Sequence, residues 1–396
     1  MRKSEKYGAA TLAVHAGAQE DPTSRAVGTP IYQTTTFYLS DEVYDAMRSG
    51  LVRDRYIYTR YANPTQKAAA AKIAALEGAE SGLVFSSGMA AISSSLLAFL
   101  KPGDHLASGR DLYGGTYSFI NGRLRHLGIE VTFFDTEDAN SLQKAMQPNT
   151  RVVYFETLTN PLLKVADIEV LTGIAHQARA LALVDNTFPT PINLQPLKWG
   201  ADLVIHSGSK YLNGHSDLIC GAVAGSPELT DKVWKNLLMY GGCLDPTAAF
   251  HLDRGLKTLA IRMERHNANG LALSAWLEKH PAVEQVFYPL LTSNSRLPIA
   301  RKYLQGGSGM VAFRIKGGDD AALKLLDHLR LFKVASSLGG VESLVSLPMN
   351  TSHVNFKPAE RTRMGILPGT VRLSVGIEDI ADLIEDLAFA LEKAAS

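Results

Sequence analysis

The sequence predicts an α/β protein with a large domain built on a mostly parallel sheet and a smaller α+β domain at the C-terminal end. From about residue 65 onward, short apolar strand candidates alternate with segments of helix length, and 396 residues suffice for two domains. Beyond residue 255 strand candidates become fewer. We therefore expect residues 61–254 to form the large domain and residues 255–396 the C-terminal domain.

The expected large domain begins with an alanine-rich helix, TQKAAAAKIAALEG, that Gly78 closes. The strand GLVFS then leads directly into the helix GMAAISSSLLAFL. Further strand candidates are HLAS, VTFF, VVYFE, LALVD and DLVIH, most of them separated by helical segments such as ADIEVLTGIAHQARA. Repeated strand–helix alternation with apolar strands is typical of a mostly parallel sheet covered by helices on both faces.

The expected C-terminal domain follows a heavily helical stretch between about Pro246 and His280. Beyond it we predict the strands VEQVFY, GMVAFRI and TVRLSVG and two long helices. This mixture favours an α+β arrangement.

Residues 1–60 differ from the rest because GTPIYQTTTFYLS and GLVRDRYIYTRYANPT show neither a helical nor a strand period. A long segment of this kind is either disordered or ordered by packing against something else. Its many aromatic residues argue against disorder. We therefore expect an N-terminal arm that contacts a neighbouring subunit.

The composition excludes several classes of function. Forty basic residues balance 39 acidic ones, which gives no concentrated field for nucleic acid or an anionic membrane. No segment resembles a secretory signal or a membrane span. Cys220 and Cys243 are the only cysteines, and His206 and His215 lack metal-ligand spacing, so we predict neither a disulfide framework nor a metal site. A cytoplasmic protein is expected.

Four features fall where strands of the predicted sheet end, at the edge where α/β proteins bind ligands. Lys210 follows DLVIH, Asp185 ends LALVD, SSGMAA occupies a strand-to-helix turn, and Tyr113 comes shortly after HLAS. Each has an ordinary alternative: a solvated lysine, a turn aspartate, a tight turn and a core aromatic. Together they form a stronger signal than any one alone.

Their chemistry converges on pyridoxal 5′-phosphate. This cofactor needs an amine for covalent attachment, a carboxylate beside the pyridine nitrogen and a phosphate site. Lys210 supplies the amine, Asp185 the carboxylate, and Tyr113 an aromatic face. Gly88 at a helix N-terminus, with the Ser207 and Ser209 hydroxyls, suits a phosphate. A Walker loop, a GxGxxG dinucleotide turn and a GxSxG elbow are all missing from the sequence.

Motifs along nearly the whole chain resemble one family. They are YTRYANPT, SSGMAAI, DLYGGTY, ETLTNPLLKVADI, VDNTF, HSGSKYLNGHSD, RGLKTLAIRMERH, SLGGVESL and VRLSVGIEDIADLIEDL. In this order and spacing they resemble the pyridoxal-phosphate-dependent enzymes of cysteine and methionine metabolism, the trans-sulfuration enzymes, and most closely the cystathionine γ-lyase and methionine γ-lyase types. The resemblance implies fold type I, the aspartate aminotransferase-like fold, and a homotetramer built as a dimer of dimers.

The resemblance also implies roles for particular residues. Lys210 would hold the cofactor and shuttle protons, and Tyr113 would stack on the ring and act as an acid. The residues implied in cofactor binding are Tyr58, Arg60, Gly88, Met89, Tyr113, Asp185, Ser207, Ser209 and Lys210, with Tyr58 and Arg60 coming from the neighbouring subunit. The residues implied in binding the substrate carboxylate are Asn160, Ser337 and Arg372.

The reaction that the resemblance implies is α,γ-elimination of cystathionine, or of methionine or homocysteine, to 2-oxobutyrate, ammonia and a thiol. The alternative within the family is γ-replacement, as in a cystathionine γ-synthase or an O-acylhomoserine sulfhydrylase. Three positions depart from the patterns of individual members: Gly115, Leu237 and Ser336. Other proteins with this fold include ligand-sensing modules, decarboxylases and aminotransferases. A sensing module is disfavoured because the sequence shows no appended DNA-binding domain with a basic patch. The Tyr58–Arg60 pair and the SGSK motif favour the sulfur-amino-acid enzymes over a decarboxylase or an aminotransferase.

Overall fold

The computed structural model describes residues 7–395 except 54, 352, 353 and 355. Residues 1–6 and 54 of the predicted arm, and residues 352, 353, 355 and 396 of the predicted C-terminal domain, therefore lie outside the described residues. In chain order the strands are β1 (Ser81–Phe85), β2 (His105–Gly109), β3 (Glu130–Phe134), β4 (Thr150–Glu156), β5 (Leu181–Asp185), β6 (Leu203–His206), β7 (Gly221–Gly225), β8 (Val283–Phe287), β9 (Met310–Ile315), β10 (Lys333–Val334), β11 (Leu344–Ser346) and β12 (Thr370–Ser374).

The α-helices of the same residues are α1 (Ala9–His15), α2 (Asp41–Ser49), α3 (Pro64–Glu77), α4 (Gly88–Phe99), α5 (Gly114–Ser118), α6 (Ala139–Ala145), α7 (Ile168–Gln177), α8 (Thr190–Asn193), α9 (Pro227–Tyr240), α10 (Pro246–Leu256), α11 (Leu259–Leu277), α12 (Leu297–Tyr303), α13 (Gly318–His328), α14 (Pro358–Met364) and α15 (Ile380–Ala395). A π-helical segment, Phe119–Leu124, continues α5. None of the helices in the described part of the chain combines the length and apolarity that crossing a membrane would require.

The larger sheet has seven strands in the order β1-β7-β6-β5-β4-β2-β3. Strands β2 to β6 are parallel to one another, and β7 is antiparallel to both of its neighbours, β1 and β6. Because β1 and β6 both oppose β7, all strands except β7 end at the same edge. The predicted mostly parallel sheet is thereby confirmed, and this edge is where the candidate site is assembled.

Strand β7 was not predicted, and close packing explains its unusual sequence, GAVAG. A Cβ atom on Gly221 would lie 2.2 Å from the Ser87 carbonyl oxygen at the start of α4. Only glycine fits where the two backbones approach so closely. Apart from Val223, the strand therefore lacks the branched and aromatic residues that normally indicate one.

Helices cover both faces of this sheet, which accounts for its nearly continuous apolar strands. On β4, Val153 and Phe155 belong to one hydrophobic cluster, whereas Val152 and Tyr154 belong to the cluster on the opposite face. Alternating side chains of a strand point to opposite faces, so both sets must be apolar when both faces are buried.

Helix α3 begins and ends at the residues that the sequence indicates. The Asn63 side chain accepts a hydrogen bond from the Thr65 amide at 3.0 Å, and Pro64 occupies the first helical position. At the other end Gly78 adopts a left-handed conformation with φ of 71°. These are favourable capping residues for a helix.

A second sheet of five strands, in the order β10-β11-β12-β9-β8, lies in the C-terminal part of the chain. A third hydrophobic cluster packs α11, α13 and α15 against it. The predicted strands β8, β9 and β12 are present, and β12 carries Arg372. In the N-terminal region the structure adds α1 and α2, and a single bridge joins Thr36 to Tyr58.

Candidate functional site

Lys210 lies in a tight turn just beyond β6. Its amide donates to the Ser207 carbonyl at 3.2 Å, and its carbonyl accepts from the Gly214 amide at 2.8 Å. The Ser209 hydroxyl exchanges hydrogen bonds with the backbone of Cys220, at 2.8 and 3.2 Å, which ties this turn to the start of β7. The predicted phosphate ligand Ser209 therefore already has backbone partners, whereas the turn projects Lys210 toward the C-terminal sheet.

The amine of Lys210 is held by the loop that precedes β11. Lys210 Nζ donates to Ser337 Oγ at 2.9 Å. Burial lowers the pKa of Lys210, and the positive charge of Arg372 lowers it further. Within the described residues no carboxylate forms an ion pair with this amine, so the neutral form that a nucleophile or base requires is favoured.

Arg372 is a buried cation whose described partners are all uncharged. Its side chain lies on β12 and is 5 % exposed. The guanidinium donates to Asn160 Oδ1 at 3.0 Å and to the Ser337 carbonyl at 3.2 Å. Burial lowers its pKa to about 10. Because a buried charge is normally paired, this arrangement favours an anionic ligand beside Arg372.

Ser337 links these two cationic groups through its side chain and its backbone. Its φ of 99° lies in the region that favours glycine. A non-glycine residue in this conformation is strained, and such strain concentrates at binding sites. Thus Asn160, Ser337 and Arg372, which we predicted as substrate ligands, form one hydrogen-bonded set with Lys210.

Asp185 ends β5 with its carboxylate buried. Oδ1 accepts from the Thr187 amide at 2.9 Å, and Oδ2 accepts from the Tyr154 hydroxyl at 3.5 Å. Burial raises the pKa of Asp185, although the hydrogen bonds from Thr187 and the nearby charge of His206 oppose the increase. A buried carboxylate at this edge suits a partner that carries a proton on nitrogen.

The turn from β1 into α4 meets the turn after β6, and both turns carry residues that we predicted to bind the phosphate. A Cβ atom on Gly88 would lie 2.9 Å from Ser207 Oγ, so only glycine fits between them. Ser87 caps α4 by accepting from the Ala90 amide at 3.0 Å, and Met89 packs partly against the neighbouring hydrophobic cluster. The amides in the first turn of a helix favour an anion.

Tyr113 precedes α5 at the same edge and is 49 % exposed. Its ring covers Gly115 closely: a Cβ atom on Gly115 would lie 2.5 Å from Tyr113 Cε1. The residue is therefore available to stack on a planar ligand, and glycine at position 115 permits the ring orientation seen here.

Tyr58 and Arg60 make their described contacts outside this hydrogen-bonded set. The Arg60 guanidinium lies 5.8 Å from the centre of the Tyr58 ring and donates to the Leu238 carbonyl at 2.8 Å. The described contacts of these two arm residues within one chain therefore do not include Lys210.

Two positions that depart from the patterns of individual family members lie in different surroundings. Leu237 is buried in the hydrophobic cluster beneath α9, and Ser336 is exposed next to Ser337.

Sequence analysis missed two residues that the structure places at the site. Glu156 ends β4, and its carboxylate accepts from the Tyr113 amide at 2.6 Å. Thr187 accepts from the Ser207 amide at 2.9 Å and so joins the ends of β5 and β6. Both could have been found by applying the strand-end criterion to VVYFE and to the residues that follow LALVD.

The geometry fits pyridoxal phosphate, as the sequence predicted. Three groups lie at one edge of the sheet: Lys210 with its lowered pKa, the buried carboxylate of Asp185, and the start of α4, where only glycine fits at position 88. These groups match the aldehyde, the pyridine nitrogen and the phosphate of the cofactor.

Comparisons with known proteins agree. The family model described as Cys/Met metabolism PLP-dependent enzyme matches residues 10–392. The chain is 45 % identical to an L-methionine gamma-lyase of Fusobacterium nucleatum, over 98 % of this chain and 99 % of that protein. It is 43 % identical to the cystathionine gamma-lyase of Bacillus subtilis, over 96 % of this chain and 98 % of that protein.

A solved structure of cystathionine gamma-lyase from Lactobacillus plantarum, complexed with L-serine, is also similar. It superposes with a TM-score of 0.93 at 36 % identity, covering 98 % of this chain and all of the other. This agreement in fold over the full length confirms the predicted fold class. The chain belongs to the family of pyridoxal-phosphate-dependent enzymes of cysteine and methionine metabolism.

Proposed function

We propose that this enzyme is a carbon–sulfur lyase that performs α,γ-elimination on a sulfur amino acid such as cystathionine, methionine or homocysteine. One observation carries the proposal: Ser337 joins the amine of Lys210 to the guanidinium of Arg372, which forms no ion pair with any of the described residues. An α-amino acid could thus place its carboxylate at Arg372 and its α-carbon near Lys210. The overall change consumes one water and releases a thiol, ammonia and 2-oxobutyrate.

The cofactor would be held by Lys210 covalently, by Asp185 at the pyridine nitrogen, and by Gly88, Met89, Ser207 and Ser209 at the phosphate. When bound, pyridoxal phosphate supplies an electron sink for negative charge at the substrate α-carbon. The ring of Tyr113 would cover its exposed face.

The protein's own groups would bind the substrate and move its protons. Arg372 binds the α-carboxylate with two parallel donors, and Asn160 and Ser337 hold the guanidinium in place. Lys210 Nζ, whose pKa is lowered by burial, accepts the α-proton. A second proton is then lost from the β-carbon, and the electron pair of that C–H bond forms a Cβ–Cγ double bond as the bond between the γ-carbon and sulfur breaks. Tyr113 or Lys210 donates a proton to the departing sulfur.

The N-terminal arm, residues 1–60, would complete the site of a neighbouring subunit. Supporting this, Tyr58 is 43 % exposed and Tyr38 is fully exposed in a single chain. In a dimer, Tyr58 and Arg60 would reach the phosphate of the neighbour, and two dimers would form a homotetramer. We propose residues 61–254 as the cofactor-binding domain, residues 255–396 as the C-terminal domain, and the cytoplasm as the location.

Elimination is favoured over γ-replacement because the curated relatives compared above are named as lyases. The enzyme should be incubated with cystathionine, methionine or homocysteine, and separately with an acylated homoserine plus a thiol. We expect 2-oxobutyrate and a free thiol from at least one of the first three substrates. Formation of a thioether alone would instead establish replacement, and transfer of the amino group without loss of sulfur would overturn the proposal.

A further inference from the structure

Glu156 is a buried carboxylate for which the reaction described above has no use. It is the last residue of β4, is 6 % exposed, and lies opposite Asp185 in the strand register. A buried carboxylate costs free energy unless its oxygens are hydrogen-bonded. Its partners therefore indicate why the chain keeps an acid there.

The partner that the structure shows is the segment carrying Tyr113. Glu156 Oε1 accepts from the backbone amide of Tyr113 at 2.6 Å. Burial and the charge of Asp185 raise the pKa of Glu156, whereas the hydrogen bond from the Tyr113 amide favours its ionised form. The carboxylate thus holds the backbone of the tyrosine that is proposed to stack on the cofactor.

The segment of Tyr113 depends on this contact because it is irregular. Tyr113 lies between β2 and α5. It belongs to no helix or strand that would fix its backbone by itself. The end of β4, in contrast, is anchored between β2 and β5 in the middle of the sheet.

We propose, on the basis of the function inferred above, that Glu156 is a positioning residue that fixes the backbone of Tyr113 and thereby sets the ring of Tyr113 over the site. It ties the surface that covers the cofactor to the end of β4. A shift of about 1 Å at such groups costs roughly 100-fold in rate, so loss of the tie should be measurable.

The chain offers a matched control for a merely structural role. Asp386 is also a buried carboxylate that accepts from backbone amides, those of Arg330, Leu331 and Phe332, at 2.8 to 3.2 Å. It lies on α15 in the C-terminal region. Removing either carboxylate leaves buried amides without partners, but only Glu156 contacts the site.

The test compares Glu156→Ala, Glu156→Gln and Asp386→Ala as holoenzymes, with wild type assayed first. The experiment measures five quantities: the Kd for pyridoxal phosphate, the visible circular dichroism of the bound cofactor, KM, kcat and Tm. For Glu156→Ala we expect a weaker Kd, an altered dichroic band and a kcat/KM lower by about 10- to 100-fold. Asp386→Ala should lower Tm while leaving Kd, the dichroic band and kcat/KM within about 2-fold of wild type.

Glu156→Gln keeps one acceptor oxygen, so its Kd, dichroic band and kcat/KM should lie between those of wild type and Glu156→Ala. This variant also provides the test if Glu156→Ala does not fold. The inference is overturned if Glu156→Gln and every folded Glu156→Ala sample match wild type in Kd, dichroism and KM. Failure of wild type to release a thiol from any substrate would overturn the proposed reaction instead, because the cofactor readouts on Glu156 do not depend on turnover.

Discussion

Two buried cations of this protein, Lys72 and Arg372, have different kinds of partner for their charge. Lys72 on α3 is completely buried, and its Nζ lies 2.7 Å from Asp253 Oδ1 on α10. Arg372 on β12 is almost as buried, but its described partners are an amide and a carbonyl oxygen. Burial lowers the pKa of both cations.

The difference separates a charge that is paired inside the protein from one that we propose is reserved for a ligand. An ion pair inside the protein satisfies Lys72 in the unliganded state. The guanidinium of Arg372 and the amine of Lys210 both contact Ser337, and no carboxylate forms an ion pair with either of them in the described part of the chain. We propose that an incoming anion compensates the buried charge of Arg372.

The largest effect is expected for Lys210→Ala. Loss of the proton-transferring amine should lower kcat by roughly 10²–10⁴-fold or more. The visible absorbance of the covalently bound cofactor should also disappear. Lys232→Ala, which removes an exposed lysine paired with Glu228, serves as the control. A Lys210→Ala variant with normal turnover and absorbance would contradict the assignment.

On the structural side, Asp253→Ala should lower the free energy of unfolding by about 3–5 kcal/mol, because it leaves the charge of Lys72 buried without a carboxylate partner. Urea denaturation measures the change. The control is Glu228→Ala, which breaks a solvent-exposed pair with Lys232 and should cost less than about 1 kcal/mol. If the two variants lose the same free energy of unfolding, the Lys72–Asp253 pair does not contribute more to stability than an exposed pair does.

Arg372→Met should affect substrate binding more than stability, the reverse of what we expect for Asp253→Ala. Removing the proposed receptor for the substrate carboxylate should raise KM roughly 10- to 100-fold, the equivalent of one charge-assisted hydrogen bond of about 1.5–3 kcal/mol. The apoenzyme should lose less stability than Asp253→Ala does, because here the buried charge itself is removed. An unchanged KM would place the substrate carboxylate elsewhere.

Gly115→Ala tests how tightly Tyr113 is placed over the site. The new Cβ would lie 2.5 Å from the Tyr113 ring, so the ring must move, and we expect kcat/KM to fall by about 2- to 10-fold. Gly122→Ala, where no atom lies within 4 Å of the added Cβ, should leave kcat/KM unchanged. If both variants behave alike, the ring is free to adjust.

The smallest effect is expected in the pH dependence of the rate at which apoenzyme takes up pyridoxal phosphate. Burial and then Arg372 lower the pKa of Lys210, so the rate at which apoenzyme takes up pyridoxal phosphate should rise with pH as the amine loses its proton. Without the charge of Arg372 the pKa of Lys210 increases, and the midpoint in Arg372→Met should move to higher pH. Arg265→Met, at an exposed arginine paired with Asp379, should leave the midpoint in place.

Much of the site could be predicted because strand ends are visible in the sequence. Lys210 and Asp185 follow apolar runs, and parallel strands end at one edge, so their proximity follows from the α/β pattern. The same criterion was not applied to VVYFE, which is why Glu156 was missed. Strand β7 could not be predicted, since its small residues reflect the close approach of α4 rather than strand propensity.

By itself the sequence determined the fold class, the caps of α3 and the residue types that suit the cofactor, because these depend on local spacing and on the alternation of strands and helices. Only the tertiary structure decided that Arg372 reaches Asn160 and Ser337, and that Glu156 accepts from the Tyr113 amide. These contacts connect segments far apart in the chain, and no local pattern encodes which distant loops will share a buried charge.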